Sequence, residues 1–114
     1  MELAEIMKKY LLIESNDPFG NRGVERFYGL AAELASLDHQ VTLFLVQNGV
    51  LPARQGAAAP GLEAAAAAGV EIVADDFSLR ERGIDAASLA PAVRAAPIDR
   101  VIDELAAGAR AIWH

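Results

Sequence analysis

The chain has 114 residues, 54% apolar but only 6% aromatic, with a net charge of −6. That length suits one domain with a single core of Leu, Val, Ile and close-packed Ala. The acidic balance disfavours nucleic-acid and anionic-membrane partners, because neutralising phosphate needs a basic stripe that the ten dispersed Lys and Arg do not form. The chain has no cysteine, which excludes disulfides, thiolate nucleophiles and cysteine metal sites, and its two histidines lie far apart.

Residues 1–7 are expected to be an N-terminal extension, either ordered or disordered, and residues 8–114 a single domain. Met1 to Ile6 carries two Glu and no basic residue, which reads against a secretory start. With no apolar run near the ~20 residues that span a bilayer, the expected location is the cytoplasm. Tyr10 to Ile13 reads as a buried strand. A loop follows, with two candidate helix caps: Asp17 before Pro18, and Asn21. Val24, Phe27, Tyr28, Ala31, Leu34 and Ala35 then recur at helical spacing. That helix should stop near Asp38-His39, since Asp tolerates a left-handed residue.

Val41 to Val46 (VTLFLV) is apolar almost throughout rather than alternating, as expected of a strand covered on both faces. Val50 to Arg54 reads as a short helix. Pro60 is placed to open another, running to Ala68 with Gly69 as its stop. Val70 to Ala74 is the third strand, and Asp75 to Gly83 a loop with one helical turn. Asp85 to Ala92 has no clear pattern. Val93 to Ala96 reads as a fourth strand. Pro97 can open a last helix with Ile98, Val101, Ile102 and Leu105 as its apolar stripe, and Ala109 to Trp113 is a final strand. This alternation predicts an α/β fold, a three-layer sandwich whose mostly parallel sheet of about five strands carries helices on both faces.

Open parallel sheets bind ligands beyond the carboxyl ends of their strands. That rule gathers Ser15-Asn16-Asp17, Gln47-Asn48-Gly49 and Asp75-Asp76-Phe77-Ser78, with His114 on the same edge if the last strand is parallel. The candidate catalytic residues are Asp75, Asp76 and His114, since neighbouring carboxylates in a cleft split their pKa values. The candidate ligand-binding residues are Asn16, Gln47, Asn48, Asp76, Ser78 and Arg82. Each has a plainer reading. Ser78-Leu79-Arg80-Glu81 fits a capping box with Ser78 at the cap. Arg80 and Arg82 can pair with neighbouring acids as well as hold an anion. The Asn16 loop, with Arg22, precedes a helix and could bind a phosphate, but it lacks the lysine and spaced glycines of a nucleotide loop. No metal-ligand motif and no cofactor signature is present.

KYLLIESNDPF, HQVTLFLVQNGVL, ADDFSLRERGI and the closing RAIWH occur in an order and spacing that carry a resemblance. From Lys8 to His114 the chain resembles the DsrE/DsrF-like family of small sulfur-relay proteins. The resemblance implies a three-layer α/β domain that assembles into trimers or hexamers, often of related subunits. Active members carry sulfur as a persulfide on a loop cysteine, commonly in a Cys-x-x-Cys-Leu-x-x-Arg-Gly pattern. The matching run here is Asp75 to Gly83: Leu79, Arg82 and Gly83 fit, and Asp75 and Ser78 stand where the cysteines would be.

A serine hydroxyl has neither the acidity nor the sulfur affinity of a thiolate. The expectation is therefore a cysteine-less, non-catalytic subunit or binding protein, a homo-oligomer (trimer or hexamer) with sulfur-relay proteins as partners. Two alternatives stand beside it: a small-molecule acid/base enzyme using Asp75 or Asp76 with His114, and a nucleotide- or phosphate-binding domain.

Overall fold

A computed structural model describes residues 7–114; the first six residues of the expected extension lie outside the described residues. Five strands form one sheet: β1 (Lys9–Glu14), β2 (Gln40–Leu45), β3 (Glu71–Asp75), β4 (Val93–Ala96) and β5 (Arg110–Trp113). Their spatial order is β4-β3-β2-β1-β5, and every pairing is parallel. The helices are α1 (Gly23–Ser36), α2 (Pro60–Ala67), α3 (Asp76–Glu81) and α4 (Asp99–Ala106), with 3-10 segments at Gln47–Ala53 and Ala86–Ser88.

The layering follows from crossover handedness. The path β1 to β4 advances one strand at a time in one direction, so right-handed connections put α1, α2 and α3 on the same face. The β4–β5 connection returns across the whole sheet in the opposite direction and sets α4 on the other face. Strand residues alternate accordingly. Leu12, Leu43, Leu45 and Ile72 enter the larger core with Val24, Tyr28 and Ala31 of α1 and Leu62 and Ala65 of α2. Leu11, Ile13, Phe44 and Val73 face the other way, under Val101 of α4.

Strand and helix positions agree with the sequence reading to within a residue or two, with some differences of substance. α1 has no side-chain cap; Asp17 instead closes its own turn, accepting from Phe19 N and Gly20 N, both at 2.9 Å, while Asn21 Oδ1 accepts from Gly23 N. Asp38 takes φ 68° just past the helix, as its side chain allows. The short helix expected at Val50 is a 3-10 segment that begins at Gln47, itself at φ 52°. It packs so tightly on the end of β1 that a Cβ at Gly49 would collide with the Glu14 carbonyl. The stripe expected to bury α4 does not: Val101 packs, but Ile98, Ile102 and Leu105 are exposed. Among the described residues α4 is the only helix on this face of the five-stranded sheet, so no neighbouring helix covers the rest of its stripe.

Candidate functional site

All five strands being parallel, their carboxyl ends share one edge of the sheet, and every loop singled out from the sequence lies there. Two separate polar clusters occupy that edge.

The first joins β3 to the segment after β2. β3 runs straight into α3, so the orphan amides of the helix need an acceptor. Asp75 supplies it, its Oδ2 accepting from Ser78 N at 2.9 Å. The capping-box reading is thus corrected: Asp75 is the cap, and Ser78 sits one turn in. Ser78 Oγ donates to the same Asp75 oxygen at 2.6 Å and accepts from Gln47 N at 2.8 Å. Ser78 is 4% exposed and Asp75 6%. One buried hydroxyl therefore ties the left-handed Gln47 backbone to the β3–α3 junction. Arg82 closes the cluster, donating from Nη1 to the Ser78 carbonyl (3.2 Å) and from Nε to Asn48 Oδ1 (3.1 Å). Asp76 turns outward towards Arg80 at 3.8 Å, and Arg80 lies over the Phe77 ring. These residues, with Pro97 and Ile98, line an open hollow of about 490 Å³.

The second cluster joins β1 to β5. Ile13 pairs with Trp113, so Glu14 and His114 follow as neighbours, and both are in phase with residues on the α1 face. Glu14 is fully buried, and its two oxygens lie 2.8 and 2.9 Å from His114 Nδ1. Because a carboxylate only accepts, Nδ1 carries a proton and Nε2 is left as the ring's other functional atom. The imidazole stacks on Phe27 with centroids 5.3 Å apart. A Cβ at Gly23 would come within 2.8 Å of Nε2, so glycine there makes room for the ring. Asn16 N donates to Glu14 Oε2 (2.9 Å), and Ser15 Oγ and Asn16 Nδ2 donate to the His114 carbonyl.

The edge thus unites Gln47, Asn48, Asp75, Ser78 and Arg82, and separately Asn16 and His114. It does not bring His114 to Asp75 or Asp76: β3 and β5 are three strand spacings apart, about 14 Å. The phosphate loop is not supported either, because amides that an anion would need are already bonded to Glu14 and Asp17. Glu14 escaped the sequence reading. Its signal was available, since a carboxylate in phase with Leu12 on a buried strand requires a partner.

Tyr28 is a further buried group. Its hydroxyl has no hydrogen-bond partner among the described residues. Burial first, and then the charges of Glu14, Glu25 and Asp17, push its pKa well above the ordinary value of 10.0.

The chain is similar to known proteins over most of its length. The model of the DsrE/DsrF-like family matches residues 8–113. The crystal structure of the ychN protein from E. coli superposes with a TM-score of 0.80 at 18% identity, covering 93% of this chain and 99% of that one. The protein of unknown function MTH1491 from Methanobacterium thermoautotrophicum gives a TM-score of 0.78 at 18% identity, covering 95% and 99%. At these identities the likeness is one of fold. No curated protein matches the chain.

Proposed function

This chain belongs to the DsrE/DsrF-like family, and on that premise we propose that it is a non-catalytic subunit or binding protein of a sulfur-relay-type assembly in the cytoplasm. The observation that carries the reading is the state of Ser78. In the run matching the family's sulfur-bearing pattern, the side chain at this position is buried, donates to Asp75 and accepts from Gln47. Both functions of the hydroxyl are occupied in holding two loops together, and the chain has no cysteine to carry a persulfide.

The subunit part of the reading is supported by the α4 face. Ile102 is 61% exposed and Trp113 68%, Ile98 and Leu105 are exposed as well, and exposed Phe77 lies beside Ile98 at the edge of the sheet. Apolar exposure on this scale marks a contact surface more often than bare solvent. On this reading the assembly is a homo-oligomer, trimeric or hexameric, with sulfur-relay proteins as its partners. Native mass spectrometry of the purified chain at micromolar concentration tests this. A trimer or hexamer is expected, and a clean monomer would sink the proposal.

A further inference from the structure

His114, held from behind by buried Glu14, faces a space that the proposed role does not use. An open cavity of about 720 Å³ lies between α1 and His114, within the size range of small-molecule sites. It arises because α1 and α2 cover β1 to β3, leaving the α1 side of the edge strand β5 without a helix of its own.

We propose that this cavity binds a flat, apolar or aromatic monocarboxylate bearing a hydroxyl group. Four features of its walls select that chemistry. The floor is Phe27 and Leu30, an apolar surface for a ring. Arg26 lines one end and makes no hydrogen bond or ion pair among the described residues, so its guanidinium is available for bidentate contact with a carboxylate. Glu33 lines the other end and disfavours a second negative charge. His114 supplies the fourth contact. With Nδ1 committed to buried Glu14, Nε2 is the ring nitrogen left to hydrogen-bond the ligand hydroxyl.

Gly29 adds an independent reason. It stands in the middle of α1 on the cavity wall, where glycine costs about 1 kcal/mol relative to alanine. A Cβ there would meet nothing within 4 Å. No packing among the described residues requires the glycine, whereas a ligand lying against the helix backbone would.

The test is an NMR titration of the isotope-labelled full chain with para-hydroxybenzoate. Uncharged para-hydroxybenzyl alcohol and cationic tyramine serve as counterparts. Saturable shifts at Gly23 to Glu33 and on the His114 ring are expected with the carboxylate, and affinity about tenfold weaker for the alcohol, the equivalent of one charge-assisted contact. Arg26→Gln should bring the carboxylate down to the level of the alcohol. Gly29→Leu should abolish binding of both while leaving the fold at least as thermally stable as the wild type. The proposal is overturned by an absence of saturable shifts, by tyramine binding as well as the carboxylate, or by an unchanged Arg26→Gln. Shifts along α1 that follow protein concentration without ligand would give the groove to a second copy of the chain, and also overturn it.

Discussion

Replacing Ser78 with alanine removes one oxygen and keeps the Cβ, so the change is close to a pure deletion of hydrogen bonds. Two are lost. The hydroxyl's bond to the Asp75 carboxylate is short at 2.6 Å, buried and charge-assisted, a type worth about 1.5–3 kcal/mol. The bond from Gln47 N at 2.8 Å leaves behind a half-buried amide without an acceptor, about 1 kcal/mol more. Alanine's better helix propensity returns roughly 0.5 kcal/mol. The net loss is about 2–3.5 kcal/mol. At this chain length about 4 °C of melting temperature accompanies each kcal/mol, so Tm should fall by roughly 10 °C. Urea denaturation of Ser78→Ala against wild type measures it, with an unchanged slope showing that the unfolded state is the same. A loss below about 0.5 kcal/mol would refute the reasoning, because Ser78 would then hold nothing together.

Tyr28→Phe removes a buried hydroxyl that has no partner among the described residues, and should stabilise the protein by about 1 kcal/mol. The same group sets an alkaline limit. Its folded-state pKa lies above the unfolded value of 10.0, so its contribution is intact below that pH and is lost as pH rises beyond it. Denaturation curves from neutral to strongly alkaline pH should show this decline in wild type and a smaller one in Tyr28→Phe; a decline of equal size in both would contradict the assignment. Glu14→Gln keeps the shape of the side chain but removes the charge that faces His114 Nδ1. Hydrogen exchange should then quicken first at β5, whose edge position leaves it held by β1 alone. Uniform loss of protection across the sheet would mean that Glu14 serves the whole fold rather than this junction.

The architecture was legible because strand burial and helix spacing are local signals. VTLFLV announced a strand covered on both faces, and β2 lies in the middle of the sheet. Within Asp75 to Ser78 the sequence reading put the helix cap at Ser78, and the structure puts it at Asp75. Both residues are good caps, and only the absence of a loop between β3 and α3 decides that Asp75 comes first. The Glu14–His114 pair spans a hundred residues, and nothing local to either residue names the other. It follows once β5 is known to lie beside β1 in parallel register, a consequence of the reversed last crossover. The exposed side of α4 was misread for a related reason: periodicity shows that a helix has an apolar face, but not how much of that face the rest of the chain can cover.

The claim at the centre of this account is that the family's sulfur-bearing position has become a structural clasp. Restoring a cysteine there tests it most directly. In Ser78→Cys the thiol would lie buried against the Asp75 carboxylate, an environment that disfavours the thiolate. Incubation of the folded variant with a low-molecular-weight persulfide, followed by intact-mass measurement, should show no gain of sulfur under native conditions and a gain once the chain is unfolded. Rapid uptake of one sulfur atom by the folded protein would contradict the account, for the loop would then still be built to carry it.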